Sequence, residues 1–183
     1  MDEIVKAALR KWPNVPHCHG WLALCARGHW YLRDEGVQAA GPFPQAKGSR
    51  ITHDKLLAFI HRNYAADEHG AWYFQNGPQR VYVTLEAAPF VWRLQALPEG
   101  GALQVTAQTG AVAQPLAVWL DEDGRPFLHT DLGFGLVHSL DTALLAEALD
   151  DARAGALGPV QQAAFSSLPA RFNFVLRPGP SGP

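Results

Sequence analysis

The chain is poor in cysteine, in long apolar runs and in charge of either sign. Two cysteines, Cys18 and Cys25, are too few for a disulfide framework. No apolar stretch reaches the length of a membrane-spanning helix. Lys and Arg number 15 against 17 Asp and Glu, a net charge of −2. That balance argues against a sequence-independent nucleic-acid binder, and no basic run suggests a membrane surface. The opening Met1-Asp2-Glu3-Ile4-Val5-Lys6 places acids where a secretory leader carries positive charge and then an unbroken apolar stretch. These absences predict a cytoplasmic protein. Gly-x-Ser-x-Gly, Walker and dinucleotide motifs are missing too, so no catalytic residue and no cofactor is assigned.

What is present is an ordinary globular composition, 48% hydrophobic, sufficient for one domain or two small ones sharing a core. Residues 2–12 read as a helix with Ile4, Val5, Ala8, Leu9 and Trp12 on one stripe, stopped by Pro13. Residues 21–25 and 29–33 read as a hairpin around Ala26-Arg27-Gly28. A Gly/Pro-rich loop follows, and Thr52 is the expected cap of a helix carrying Leu56, Leu57, Phe59 and Ile60. From 71 to 119 the period is two, which predicts an antiparallel meander with one wet face and a turn at Pro98-Glu99-Gly100-Gly101. Leu140 to Ala152 is a helix with Ser139 as its cap, Pro159 opens a short further helix, and Phe172, Phe174 and Leu176 mark a last strand before a frayed tail from Pro178.

A weak internal repeat runs through this pattern. Leu22-Ala23-Leu24, Gly28 and Trp30-Tyr31-Leu32 are echoed by Leu116-Ala117-Val118, Gly124 and Phe127-Leu128, each leading to a Leu-rich helix. A third partial echo is Asp67-Glu68-His69-Gly70 followed by Ala71-Trp72-Tyr73-Phe74. The fold class is therefore α+β, two small related subdomains of antiparallel strands plus helix, residues 1–78 and 79–183.

Three groups of residues invite chemistry. His17-Cys18-His19 with Cys25 and His29 has zinc-ligand types but no standard spacing, so no metal is assigned. The acid pairs at Asp34, Asp67 and Asp121 read as solvated turns, as does Asp150-Asp151 as a surface pair. Lys47-Gly48-Ser49-Arg50, placed ahead of the helix expected at Thr52, offers charge, a hydroxyl and helix N–H groups to an anion. The six tryptophans read mainly as core.

Pro78-Gln79-Arg80-Val81-Tyr82-Val83-Thr84-Leu85-Glu86-Ala87-Ala88-Pro89-Phe90-Val91 resembles the central segment of a proteobacterial family known only as a domain of unknown function. Gly28-His29-Trp30-Tyr31 and Pro126-Phe127-Leu128-His129 are similar to it as well. Membership of that family, or of a sister family, implies a duplicated fold with a pleckstrin-homology-like second half. It also implies a nucleotide-like ligand bound between the halves, and a signalling role. The chain departs from the family pattern near Leu136 to Asp141 and carries a long loop from Gly36 to Gly48. The expectation is a non-enzymatic module binding a small phosphorylated or nucleotide-like ligand through Lys47, Ser49, Arg50 and Arg80, with no nucleic-acid or membrane partner. The alternatives are a metal-dependent hydrolase using the His17 to His29 cluster and a protein-interaction scaffold that pairs an exposed strand edge with a partner.

Overall fold

The computed structural model describes residues 2–97, 103–150 and 154–179. The turn expected at 98–101, residues 151 and 152 of the expected helix and the tail beyond 179 lie outside the described residues. The chain forms two compact units, one from Met1–Cys25, His29–Glu86 and Asn173–Pro183, the other from Ala26–Gly28 and Ala87–Phe172. The sequence reading divided the chain between 78 and 79; in the structure the first unit runs on through Glu86.

The first unit holds α1 (Glu3–Lys11), β1 (Cys18–Leu24), β2 (Trp30–Leu32), α2 (Glu35–Ala40), β3 (Ser49–Arg50), α3 (Asp54–Arg62), β4 (Tyr64–Ala66), β5 (Trp72–Asn76) and β6 (Gln79–Leu85). Its sheet has the order β3-β2-β1-β6-β5-β4, antiparallel except for the parallel pair of β1 with β6. The second half of β6 is covered on both faces. Tyr82, Val83, Thr84 and Leu85 are all buried, and the expected wet face does not exist there. On α1 only Val5 is buried, whereas Ile4 and Trp12 are exposed, so the packed stripe is narrower than the apolar one. The N-cap of α3 is His53, whose Nδ1 accepts the Leu56 amide, not Thr52. The long loop contains α2, capped by Asp34 onto Val37.

The second unit holds β7 (Phe90–Ala96), β8 (Leu103–Ala107), β9 (Val112–Ala113), β10 (Pro115–Leu120), β11 (Pro126–Thr130), β12 (Gly133–Val137), α4 (Thr142–Asp150), α5 (Ala154–Leu157), β13 (Val160–Gln162), a 3-10 turn at Phe165–Ser167 and α6 (Leu168–Arg171). The sheet order is β13-β10-β11-β12-β7-β8-β9, with β12 parallel to β7 and β13 parallel to β10. Its strands and the helix after β12 supply the element content implied for this half. Trp92 is fully buried, stacks on Phe90 at 4.9 Å and donates its indole N–H to the Leu128 carbonyl at 3.2 Å. Arg93, Asp141 and the Leu94 amide tie β7 to the segment before α4, at 2.6 Å for Arg93 Nε to Asp141 Oδ2 and 3.0 Å for the amide. That helix starts at Thr142, so Ser139 is not its cap and Leu140 is exposed outside it. Pro159 precedes β13 and not a helix, and residues 172–177 form no strand. Isolated hydrogen bonds tie that segment to the first unit, among them Val175 N to Gly70 O and Leu85 N to Leu176 O.

The duplication is present, with a different period from the one the hairpins suggested. In each sheet two three-stranded runs meet at a parallel pair of the first strand with the sixth, β1 with β6 and β7 with β12. Residues 64–83 map onto 118–137 at a constant separation of 54. Tyr64 opposite Phe74 corresponds to Val118 opposite Leu128, and Asn76 opposite Gln79 to Thr130 opposite Gly133. The turns match bond for bond. Asp67 Oδ1 accepts the amides of His69 and Ala71, as Asp121 Oδ1 accepts those of Asp123 and Arg125. Gly70 and Gly124 close these turns at φ 78° and 74°, a region open to glycine. Gly124 therefore corresponds to Gly70, not to Gly28. Asp121 is not the solvated turn residue expected: its side chain is buried and bound by Arg125 Nε at 2.7 Å.

Candidate functional site

The structure separates the residues singled out in the sequence. Lys47, Gly48, Ser49 and Arg50 are exposed, and Ser49 and Arg50 form an edge strand paired with Leu32 and Tyr31, before the residue that starts α3. Arg80 lies on β6, three strand positions from β3 and roughly 14 Å along the sheet. The His/Cys set is spread out too. Cys18 opens β1 and Cys25 follows its last residue, up to about 23 Å away at the rise of an extended chain. Cys25 is buried with Ala23 and Phe43. Among the described residues no group of three or more His, Cys, Asp and Glu side chains is arranged to hold a metal ion.

What the first unit does assemble is a polar cluster centred on Tyr82. Alternation along β5 and β6 turns Tyr73, Arg80 and Tyr82 to one face. The start of β1 lays two histidines over it: the His19 ring stacks on Tyr82 at 4.6 Å and His17 meets its edge at 5.7 Å. The Tyr82 hydroxyl donates to Asp67 Oδ2 at 3.0 Å. The Arg80 guanidinium lies over the Tyr73 ring at 4.6 Å and engages the Tyr82 hydroxyl. Two adjoining concavities open here. One of about 530 Å³ is lined by His17, His19, Asp67, His69, Tyr82 and, from the C-terminal segment, Val175, Pro178 and Gly179. The other, about 480 Å³, adds Ala66, Glu68, Tyr73 and Arg80.

The charges at the concavity are mixed, with Arg80 beside Asp67 and Glu68. Burial raises the Asp67 carboxyl, but the Ala71 and His69 amides and the Tyr82 hydroxyl outweigh it and hold the group below the usual carboxylate range. Its oxygens are thus already engaged by donors. Burial, then Arg80 and His19, hold His17 below the ordinary imidazole value, with Asp67 opposing. Burial, aided by Asp67, pushes the Tyr82 phenol up. Among the described residues Arg80 has no carboxylate at ion-pair distance. The buried Nδ1 of His19 has no hydrogen-bond partner. Of this cluster the sequence reading had named Arg80, and His17 and His19 in another role. Tyr82 and Asp67 were visible only as a strand residue and a turn residue.

Fold and site together define a duplicated α+β domain with a polar, aromatic-lined concavity on its first repeat. The chain belongs to the family DUF2944, described as "Protein of unknown function (DUF2946)", which matches residues 1–179. This bears out the kind of family the central segment resembled. No curated protein matches the chain. Among solved structures it is similar to a DUF1285 family protein from Silicibacter pomeroyi DSS-3, with TM-score 0.50 and 16% identity over 80% of this chain and 84% of that one. A DUF1285 family protein from Shewanella baltica OS155 aligns with TM-score 0.46 and 14% identity over 69% of this chain and 91% of that one. The first likeness is one of fold alone. No helix among the described residues is long and apolar enough to cross a membrane.

Proposed function

We propose that the protein is a non-enzymatic ligand-binding module with a signalling role in the cytoplasm, taking a small phosphorylated or nucleotide-like ligand at the Tyr82 cluster of its first unit. The observation that carries the reading is a guanidinium, Arg80, with no carboxylate partner. It stands with His17 and His69 at a concavity of about 480 Å³, where the Asp67 carboxylate already accepts from two amides and the Tyr82 hydroxyl and Glu68 lies at the exposed rim. Several donors converging on one anionic group are worth more than an exposed cation alone. Tyr73 and the histidine rings add apolar faces for the body of such a ligand. Lys47, Ser49 and Arg50 stand too far along the sheet to share it with Arg80.

The test is a thermal-shift screen of inorganic phosphate, nucleotides and sugar phosphates, since selective binding to the native state raises its stability. A hit should weaken by roughly tenfold or more in Arg80→Ala and stay unchanged when Lys47 and Arg50 are both replaced by Ala. Affinity lost with the Lys47/Arg50 pair and kept in Arg80→Ala would refute this site.

A further inference from the structure

The two repeats differ in what lies along one strand edge. In the second unit β10 is paired on its outer side by β13, which runs parallel to it and covers Val118, Trp119 and Leu120. The Val118 amide donates to the Pro159 carbonyl at 2.9 Å and the Ala163 amide to that of Leu120 at 3.1 Å. Glu122, in the turn after β10, then accepts the Phe165 amide at 2.6 Å. The Phe165 ring comes to rest over Phe127, at 6.1 Å, beneath the Arg125 guanidinium at 4.6 Å. One short segment, 159–165, is thus held by a strand edge, a carboxylate and an aromatic–arginine seat.

At the separation of 54 residues the first unit repeats the strand edge, the carboxylate and the ring of that seat. Tyr64 to Ala66 of β4 stand for Val118 to Leu120, Glu68 for Glu122 and Tyr73 for Phe127. Arg125 has Ala71 at its place, and a guanidinium comes instead from the neighbouring strand β6, where Arg80 lies 4.6 Å from the Tyr73 ring. Among the described residues β4 is the outermost strand and no strand pairs with its other side. Ala66, Glu68 and His69 are exposed, and the concavity of about 480 Å³ lies between this edge and Tyr73.

We propose that the β4 edge is a docking site for an extended peptide of a partner protein. The peptide adds parallel to β4 as β13 adds to β10. Residues with short or uncharged side chains pair with the edge, a backbone N–H further on reaches Glu68, and an aromatic side chain enters the concavity over Tyr73 and Arg80. Backbone pairing supplies affinity and the aromatic seat supplies selectivity. Short polar strands of this kind have little stability alone, so the segment orders on binding. This goes beyond the small-ligand reading. The two share Tyr73 and Arg80, and Ala66 and Glu68 line the same concavity, but only the peptide pairs with the backbone of the strand edge.

The probe is a synthetic peptide copying residues 158–166 of this chain, Gly-Pro-Val-Gln-Gln-Ala-Ala-Phe-Ser, titrated into the full chain by fluorescence anisotropy, with hydrogen exchange locating it. Saturable binding with protection at residues 64–69 is expected. Phe→Ala in the peptide or Glu68→Ala in the protein should each weaken it by about tenfold, and Ala66→Pro should abolish it while circular dichroism stays unchanged. The peptide carries no phosphate and the phosphorylated compounds offer no strand to the edge, so the titration and the thermal-shift screen are separate readouts, and loss of one response does not imply loss of the other. The proposal is overturned by absence of saturable binding, by affinity within twofold of wild type in Glu68→Ala, or by protection at 118–122, which would mean exchange with β13. It is likewise overturned by a dimer of the free chain that hides residues 64–69, which would make a second copy the occupant.

Discussion

Gly70 and Gly124 permit a controlled experiment, because one turn occurs twice. Both glycines have positive φ, and both turns use an Asp carboxylate to bind the amides two and four residues on. An L-residue in this conformation costs about 1–2 kcal/mol. Replacing Gly by Ala recovers about 0.4–1 kcal/mol by restricting the unfolded chain. Gly124→Ala, whose new Cβ meets nothing within 4 Å, should therefore destabilise by about 0.5–1 kcal/mol. At Gly70 the same Cβ would collide with the backbone carbonyl of Asn173, whose carbon stands only 2.7 Å away. Backbone cannot rotate aside like a side-chain tip, so overpacking adds about 1–3 kcal/mol and the total approaches 2–4 kcal/mol. Denaturant unfolding measures the difference. Hydrogen exchange at the Val175 and Leu85 amides, which donate to Gly70 and Leu176, should accelerate in Gly70→Ala only. Equal losses in the two variants would refute the packing of residues 173–176 against this turn.

Other outcomes follow from the same structure. Trp92→Ala should cost on the order of 3–5 kcal/mol, because the ring is fully buried and its N–H is bonded; a loss below about 1 kcal/mol would place that face in solvent. Asp141→Asn should cost about 1–2 kcal/mol, at the low end for a buried partner because Arg93 is half exposed and stays hydrated. Burial raises the Asp141 carboxyl, but Arg93 and the Leu94 amide outweigh it and hold it below its ordinary value. Its contribution is therefore full above about pH 4 and is lost as pH falls through the lowered value, so urea midpoints of wild type and variant should converge in acid. A bound phosphate should raise the lowered His17 value, so affinity should strengthen as pH falls below about 6.5 and proton uptake should appear in calorimetry run in two buffers.

Local order was the legible part of the sequence. Apolar periodicity marks α1 and α3, alternation marks β7 and β8, and turn chemistry marks Gly28, Asp67 and Asp121. Duplication was legible as a fact but not in its period. Hairpins of any origin share Gly turns between apolar strands, and the true equivalence of Asp67 with Asp121 rests on strand register. The site was less legible. Arg80 was chosen for its place beside Pro78, whereas Tyr82 looked like the outer face of a strand. A polar face on an interior strand cannot be told from a wet face by period alone, because burial there depends on what packs across it. The Lys47 to Arg50 loop does not run straight into the helix start, for a local reason. Two residues joined the sheet edge as β3, and the helix began four residues after Arg50.

By itself the sequence determined the class of fold, the positions of most strands and helices and the family, since these depend on short-range pattern and on runs of residues such as 78–91. Tertiary structure alone decided that β1 lies parallel to β6, that His17, His19, Tyr82 and Arg80 share a face, and that 159–165 covers one repeat's edge while, among the described residues, no strand covers the other's. Those facts depend on pairings between segments some 60 residues apart in the first unit and about 40 in the second. Their energies lie in contacts that no local window of the chain contains.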